Sequence, residues 1–356
     1  AAEYPAQTNY LYLTYNGTED DINFDGKKKV MVLGSGAYKI GSSVEFDFCC
    51  VSCVKKLKEL GYETIMVNFN PETVSTDYDE CDKLYFDELS LETVADIYEK
   101  EDPLGLIVSV GGQIPNNLAL KCQQLGLNVL GTTPDNIDNA EDRNKFSSLC
   151  DSLGIPQPEW KELTTIAEAK KFAEKVSYPV LIRPSYVLSG SAMAVAFNEE
   201  ELEQYLNAAT SLDEDYPVVI SKFILNAKEV EIDAIANKGE IVVIAVTEHI
   251  ENAGVHSGDA TMVLPPQKTY LATVSKMKEI ASKMAASLEI SGPFNIQFIA
   301  KDNDVKVIEV NLRASRSMPF VSKVTGTNFI GLATRAIMGE EIPDTPHSFL
   351  ELDHVG

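Results

Sequence analysis

Three polar side chains near the C-terminal end of the sequence have the types and the spacing to hold a metal ion and phosphate oxygens. Glu309, Asn311 and Arg313 occupy every second position, so they share one face of an extended strand. The opposite face is apolar and is predicted to be core: Ile308, Val310 and Leu312. Glu and Asn oxygens are ligands that Mg²⁺ combines with phosphate oxygens, and Gln297 on another predicted strand would add one. The alternative is a solvent-exposed polar face with ion pairs.

A second candidate site combines a cation with a small, flexible loop. Arg183 ends an apolar run, and a charged side chain that closes a buried strand needs an anionic partner. The segment 188–191, which follows, reads Leu-Ser-Gly-Ser. Backbone N–H groups of such a loop bind phosphate oxygens while a guanidinium neutralises their charge. On its own this pattern is only a weak signal for a polyphosphate site; the alternative is a structural ion pair, and both stay open.

Glycine spacing and the histidines give weaker signals. The third glycine of segment 34–41 comes at +5 from the second, whereas a dinucleotide fingerprint has about +3, so no nicotinamide site is predicted. The loop 70–77 is open between ligand binding at a sheet edge and a capped turn. In the loop 254–259, His256 would donate to a phosphate or ribose oxygen. His249 is predicted to end a strand, and it and the tail histidines to be structural or solvent-exposed.

The elements that must position these residues fall into three units. The first alternates strands and helices up to about Ala140, which predicts a parallel sheet with helices on both faces. Its predicted strands are Val30–Leu33, Glu63–Val67, Leu104–Val110 and Leu127–Leu130. A second unit follows, to about Ser211. The third is rich in strands and contains one long helix, Ala272–Leu288, which predicts an α+β arrangement.

Composition excludes several function classes. The 356 residues include 54 acidic and 30 basic side chains, for a net charge of −24. This balance argues against non-specific nucleic-acid binding and against docking on an anionic membrane. No apolar run reaches the roughly 20 residues of a membrane span, and the six cysteines are predicted to be free, buried thiols. A local arginine cluster can still bind an anion. Because the chain begins at Ala1 without Met, we expect a piece of a longer protein.

Taken in order, the motifs resemble the large (synthetase) component of carbamoyl phosphate synthetase over nearly the whole chain. The resemblance is to its second, carbamate-phosphorylating half, in the form found in eukaryotic multifunctional pyrimidine-pathway proteins. The segments that carry it are 34–46, 70–77, 110–113, 140–143, 183–187, 248–251, 254–259 and 308–316.

The resemblance implies a fold and a domain order. The expected fold is a pre-ATP-grasp parallel α/β domain followed by a two-subdomain ATP-grasp module. The expected divisions are a connector from a preceding domain, the pre-ATP-grasp domain, two ATP-grasp subdomains and a linker towards a regulatory domain: 1–26, 27–140, 141–211, 212–342 and 343–356.

The resemblance also implies site residues, position by position. The residues expected to contact ATP are Arg143, Arg183, Ser189, Gly190, Lys222, Ile224, Glu229, Gly254, Val255, His256 and Ser257. The expected metal ligands are Gln297, Glu309 and Asn311, for Mg²⁺ or Mn²⁺ and two ions. Arg313 and Arg316 are expected to face the transferred phosphoryl group as catalytic residues.

The implied reaction is ATP-dependent phosphorylation of carbamate to carbamoyl phosphate, feeding pyrimidine, arginine or urea biosynthesis. Expected partners are the first synthetase half, a glutaminase and a regulatory domain of the parent protein, with a homodimer left open. The expected compartment is the cytoplasm, with the mitochondrial matrix as the alternative. Two other hypotheses are another ATP-grasp ligase, such as a biotin carboxylase, and a nucleotide-binding or assembly module that is inactive without its missing half.

Overall fold

The computed structural model describes the chain over the ranges 10–20, 22, 24, 26, 28–37, 44–184, 193–210, 218–255 and 260–356. Within these ranges the strands form three β-sheets. The first is parallel and the other two are antiparallel, which confirms the predicted order of a parallel α/β domain followed by a module with two subdomains.

The first sheet is parallel and has the strand order β1-β4-β3-β2-β5. Its strands are β1 (Tyr10–Leu11), β2 (Lys29–Leu33), β3 (Glu63–Val67), β4 (Lys83–Tyr85) and β5 (Leu106–Ile107). Its helices are α1 (Val44–Glu59), α2 (Leu91–Glu101), α3 (Gln113–Asn116), α4 (Ala119–Gln124) and α5 (Pro134–Glu141). Apart from their first residues, β2 and β3 are almost wholly apolar and are buried, as parallel strands covered on both faces are.

The second sheet is antiparallel, with the order β6-β9-β7-β8. Its strands are β6 (Trp160–Leu163), β7 (Val180–Pro184), β8 (Ala194–Ala196) and β9 (Val218–Lys222). The helices of this unit are α6 (Arg143–Ser152), α7 (Ile166–Val176) and α8 (Glu199–Thr210). Side-chain caps fix two of the helix starts, because Asp142 accepts from the Lys145 N–H and Thr165 from the Glu168 N–H.

The third sheet is antiparallel, with the order β12-β11-β10-β13-β14. Its strands are β10 (Lys228–Asn237), β11 (Glu240–Asn252), β12 (Met262–Val263), β13 (Gly292–Lys301) and β14 (Asp304–Asn311). Its helices are α9 (Leu271–Ser287), α10 (Met318–Thr325) and α11 (Phe329–Met338). None of the helices in the described ranges combines the length and the apolar character that a membrane span requires.

The first and third sheets share their hydrophobic core, whereas the second sheet has its own. One buried cluster joins Val30 and Leu57 of the first unit to Ile235 and Ile337 of the third, and α1 packs against α11. A separate cluster fills the second sheet, around Ile220. The described elements of the first and third units therefore hold each other in place, and side chains that meet at their boundary have fixed positions.

Several element predictions differ from the structure. The strand predicted at Leu127–Leu130 reduces to a single bridge between Leu106 and Val129, and the strand predicted from Leu104 is only β5. The segment after β5 forms two short helices, α3 and then α4, which begins at Ala119. All six cysteines are buried and free, as predicted.

A buried carboxylate, that of Glu101 at the end of α2, connects this helix to the strands β2 and β4. It accepts hydrogen bonds from Lys29 Nζ at 2.9 Å, Lys83 Nζ at 2.8 Å and Tyr85 Oη at 2.5 Å. Burial alone would raise the pKa of Glu101, but these donors outweigh it and lower the pKa below its ordinary value of 4.5. A carboxyl group with a lowered folded pKa stabilises the fold above its unfolded pKa and loses that effect as the pH falls.

We therefore expect Glu101→Gln to lower the free energy of unfolding by about 3–5 kcal/mol at neutral pH, because two lysines lose a charged partner. The difference from the wild type should shrink as the pH falls from about 5 to about 3. Urea unfolding across this pH range measures it. The control is Glu59→Gln, which removes an exposed ion pair with Lys56 and should cost less than about 1 kcal/mol. Equal losses in both variants would contradict the prediction.

Candidate active site

The three predicted metal ligands lie side by side on paired strands. Gln297 of β13 is directly opposite Glu309 of β14, and Asn311 follows on the same face. Asn311 Nδ2 donates to Glu309 Oε1 at 3.1 Å. Val310 is buried in the core as predicted, but Ile308 is only half-buried, because it occupies a break in the β13–β14 register. The three side chains therefore share one face, with the amide nitrogen of Asn311 turned towards Glu309 and its oxygen towards Arg313.

Two arginines from the second unit face this donor set across a cleft of about 400 Å³. Arg143 is the first residue of α6, and its Nη1 donates to the carbonyl oxygen of Ile308 at 3.1 Å. Its guanidinium carbon lies 5.4 Å from the ring centroid of Trp160. Arg183, near the end of β7, lines the same cleft. The structure therefore brings the two arginines that are predicted to contact ATP together with Glu309.

The electrostatics of this cleft favour an anionic ligand. Burial and, after it, the positive charge of Arg183 lower the pKa of Arg143. The negative charge of Glu309 raises it. The Nε of Arg183 is buried and has no hydrogen-bond partner among the described residues. A buried guanidinium N–H without an acceptor is costly, and phosphate oxygens supply such acceptors in the geometry that arginine prefers.

Arg313 reaches the cleft edge and is held on all sides. Its Nη2 donates to Asn311 Oδ1 at 3.0 Å, its Nη1 to the Ala314 carbonyl at 2.9 Å and its Nε to Gln113 Oε1 at 2.9 Å. Burial lowers the pKa of Arg313, while Glu309 raises it. Arg316 is exposed. The structure thus fixes one of the two predicted catalytic arginines and leaves the other at the surface.

Two of the segments that are predicted to contact ATP lie close to one another. Lys222 ends β9, and its Nζ donates to the carbonyl oxygens of Ser177 at 2.7 Å and Tyr178 at 3.2 Å. Ile224 is half-buried two residues later. A Cβ at Gly254 would lie 3.1 Å from the ring of Phe223.

The close approach of Phe223 and Gly254 brings the segments 222–224 and 254–255 together. Gly254 has φ +112°, a conformation that favours glycine. Its neighbour Val255 is exposed. Four further predicted contacts lie outside the described residues: Ser189, Gly190, His256 and Ser257.

Glu229 belongs to a buried row of acidic side chains on β10. Burial raises its pKa to about 7. Ligand atoms of Glu229, Glu231 and His249 lie within 4.8 Å of one another, and His249 Nε2 is 3.1 Å from Glu231 Oε1. The prediction that His249 ends a strand is wrong, since it lies inside β11 and is 1% exposed; the ion pair with Glu231 is what allows its burial.

Sequence reasoning missed two groups at this site. Gln113 and Glu141 line the cleft, and nothing in their spacing indicates that role. The acidic row of β10 did carry a signal, because Glu229, Glu231 and Asp233 repeat with the strand period of two on an otherwise apolar strand.

The sequence leaves the loop 70–77 open between ligand binding and a capped turn. In the structure, polar side chains of this loop form hydrogen bonds within the loop and with Asn68. Thr76 Oγ1 donates to the carbonyl oxygens of Asn70 at 2.9 Å and Thr73 at 2.8 Å. Asn68 Nδ2 donates to Ser75 Oγ at 3.0 Å. These contacts favour the capped turn.

The three-sheet fold and its cleft define an ATP-grasp ligase, a class whose members are enzymes. A biotin carboxylase domain of the Hydrogenobacter thermophilus 2-oxoglutarate carboxylase, solved with MgADP and bicarbonate, has the same fold, with a TM-score of 0.71 at 20% identity over 89% of this chain and 70% of that one. The chain belongs to the carbamoyl phosphate synthase large-chain family. The model of its preATP-grasp domain matches residues 26–139, and that of the L chain ATP binding domain matches residues 142–345.

Curated relatives are much longer than this chain. It is 60% identical over 341 residues to multifunctional protein pyr1-3 of Dictyostelium discoideum, covering 95% of this chain and 15% of that protein. It is 58% identical over 350 residues to the mitochondrial carbamoyl phosphate synthase arginine-specific large chain of Schizosaccharomyces pombe, covering 96% of this chain and 30% of that one. The chain thus spans less than a third of either relative.

We expect Arg183→Gln to weaken ADP binding about ten- to hundred-fold, because a hydrogen bond to a charged group contributes about 1.5–3 kcal/mol. The unfolding midpoint of the ligand-free protein should not fall, since the substitution removes the repulsion between Arg183 and Arg143. Isothermal titration calorimetry and thermal unfolding measure the two effects. Arg335→Gln is the matched control, because Arg335 binds the Glu341 carbonyl and is not among the cleft residues. Unchanged ADP affinity in Arg183→Gln would contradict the assignment.

Proposed function

We propose that this chain phosphorylates carbamate with ATP and so forms carbamoyl phosphate, as the second synthetase half of a carbamoyl phosphate synthetase. The observation that carries the proposal is the cleft itself. It places two arginines, Arg143 and Arg183, opposite the oxygen donors of Glu309 and Asn311, with Arg313 at its edge. The identity to multifunctional proteins and to an arginine-specific large chain supports the same family of reactions.

In this proposal the arginines of the second unit hold the nucleotide phosphates. The buried, unpartnered Nε of Arg183 points to an acceptor that the described protein residues do not supply. Lys222, Ile224, Glu229 and the 254–257 segment hold the adenine and ribose, while Ser189 and Gly190 belong to the loop over the phosphates. Because burial raises the pKa of Glu229 to about 7, this carboxyl group is partly neutral near pH 7 and can donate as well as accept.

The residues present fit a divalent cation. Gln297, Glu309 and Asn311 lie on one face and carry the carboxylate and amide oxygens that Mg²⁺ prefers as ligands. The Oδ1 of Asn311 has a second lone pair beside the one that accepts from Arg313. Bound Mg²⁺ or Mn²⁺, as two ions, would neutralise charge on the phosphates.

The proposed step is an in-line displacement. A carbamate oxygen forms a bond to the γ-phosphorus, the bond to the β–γ bridging oxygen breaks, and ADP leaves with the electron pair. Carbamate is already anionic, so no protein base has to remove a proton. The chain supplies position and positive charge: Arg313 presents a guanidinium whose orientation is fixed before the reaction, and Arg316 adds charge from the surface.

The parent protein and its compartment are part of the proposal. A first synthetase half, a glutaminase and a regulatory domain would lie in the longer parent, as the lengths of the relatives allow. A homodimer is a further possibility to test. We propose the cytoplasm as the compartment; the mitochondrial S. pombe relative keeps the matrix, and with it the arginine or urea pathway, as the alternative.

The back reaction tests the activity directly. Mixed with ADP, Mg²⁺ and carbamoyl phosphate, the chain should form ATP, which luciferase detects. Tight ADP binding without ATP formation would instead support a nucleotide-binding or assembly module. ADP release that depends on bicarbonate and biotin would support a biotin carboxylase.

We expect Glu309→Gln to reduce ATP formation at least about hundred-fold, as the loss of one preorganised electrostatic contact does in other enzymes. The far-ultraviolet circular dichroism spectrum and the unfolding midpoint should stay close to those of the wild type, because Glu309 is only half-buried. Glu240→Gln, at the exposed start of β11, is the matched control and should keep full activity. Near-normal turnover of Glu309→Gln would refute its assigned role.

A further inference from the structure

Arg313 is oriented by two different units of the chain. Asn311 Oδ1 and the Ala314 carbonyl, both beside it in sequence, accept from its two terminal nitrogens. The third position, Nε, donates to Gln113 Oε1 at 2.9 Å, and Gln113 begins α3 of the first unit. The guanidinium carbon also lies 5.6 Å from the ring centroid of Phe46 in α1. Two of these four contacts of Arg313 therefore come from the domain that carries none of the predicted ATP or metal contacts.

The backbone fixes the position of Gln113. The preceding residue, Gly112, has φ +85°, and a Cβ there would lie 2.8 Å from the Phe46 ring. Only glycine fits both constraints. Phe46 is 8% exposed, so the ring that contacts Arg313 is itself held by the core. Gln113 and Phe46 thus form a rigid seat for one side of the guanidinium.

The amide of Gln113 has one orientation that satisfies its neighbours. Its Nε2 donates to Asn117 Oδ1 at 2.7 Å and to Glu141 Oε1 at 2.9 Å. Because arginine has donors only, the other atom of the amide, Oε1, must face Arg313. An amide can accept from a guanidinium and donate to a carboxylate at once, and a shorter Asn has one methylene less to reach both.

Gln113 also stands between opposite charges. Arg313 and Glu141 contact the two ends of the same amide, and Glu141 raises the pKa of Arg313 after the larger effects of burial and Glu309. Without the amide, Nε loses its acceptor, and Glu141 is a carboxylate close enough to attract the guanidinium. An Arg313–Glu141 ion pair would draw the guanidinium out of its present position and offset its charge.

We propose that Gln113 is a positioning residue: it holds Arg313 towards the transferred phosphoryl group and keeps it from pairing with Glu141. The inference rests on the proposed function, since it assigns a cause to the orientation of Arg313 in that reaction. It gives the first unit a direct part in phosphoryl transfer, through one hydrogen bond across the boundary between the two matched domains.

The test uses Gln113→Ala in the back reaction with ADP and carbamoyl phosphate. We expect kcat to fall about ten- to hundred-fold, as misplacement of a catalytic group by about an ångström does. The KM for ADP should stay within about two-fold of the wild type, because Arg143 and Arg183 do not touch Gln113. Gln123→Ala is the matched control; Gln123 is an exposed glutamine that donates to Asp135.

A double-mutant cycle separates positioning from a general structural effect. Arg313→Lys keeps a positive charge but has no Nε, so Gln113→Ala should cost little in that background. The same fall in kcat in both backgrounds, or an unchanged kcat in the single variant, would overturn the inference. If the wild type forms no ATP, the proposed function fails instead.

If the wild type forms no ATP, nuclear magnetic resonance can still test the hydrogen bond between Gln113 and Arg313. The chain has five arginines, so its ¹H–¹⁵N spectrum holds at most five Nε–H signals, and Arg313→Lys identifies the one from Arg313. Gln113→Ala should shift or broaden that signal, whereas Gln123→Ala should not. An unmoved signal in Gln113→Ala would overturn the inference without reference to activity.

Discussion

The pairing of β13 with β14 is the constraint on which the candidate site depends. Because successive side chains of a strand point to opposite faces, a shift of one residue would move Glu309 and Asn311 into the core and bring Val310 into the cleft. Burial of Val310 and Leu312 prevents such a shift, since both are almost wholly removed from solvent. The break in the β13–β14 register lies at Ile308. The carbonyl oxygen of this residue accepts a hydrogen bond from Arg143 instead. One register thus fixes the positions of Glu309 and Asn311, the start of the segment that carries Arg313, and the carbonyl oxygen that holds Arg143.

The buried acidic side chains of β10 also need hydrogen-bond donors from the protein, because water does not reach them. Asp233 is fully buried, and it accepts from Asn295 Nδ2 at 3.0 Å and from Ser315 Oγ at 2.5 Å, with Ser317 also donating. Burial, followed by the charge of Glu231, raises the pKa of Asp233 to about 6. An apolar side chain of similar size would cost less there. We interpret the network as an anchor for the segment 313–317, because Ser315 and Ser317 flank Arg316 and lie shortly after Arg313.

The sequence allowed the site to be predicted where a local pattern and the chemistry coincide. The two-residue period of β14 placed Glu309 and Asn311 on one face, and the strand predicted at Glu63–Val67 has the same bounds as β3. Gln113 was beyond reach, because its role is created by an arginine 200 positions away. For Lys222 the resemblance implies a contact with the nucleotide, whereas in the structure its ammonium donates to two carbonyl oxygens beside β7. The strand predicted at 127–130 failed because periodicity cannot show whether a partner strand runs alongside.

The charge of the chain illustrates why a local balance decides ligand class. A net charge of −24 would repel nucleotides if it acted as a whole, but charges further apart than about 8–10 Å are screened at physiological ionic strength. The cleft is lined by Arg143 and Arg183 together with Glu141 and Glu309, and Arg313 contacts two further lining residues. Burial lowers the pKa of Arg143 and Arg313, yet a guanidinium remains charged at any physiological pH. Phosphate oxygens would offset the cost of keeping these charges out of water. A chain with a net acidic charge can therefore present arginines to an anionic ligand at one place.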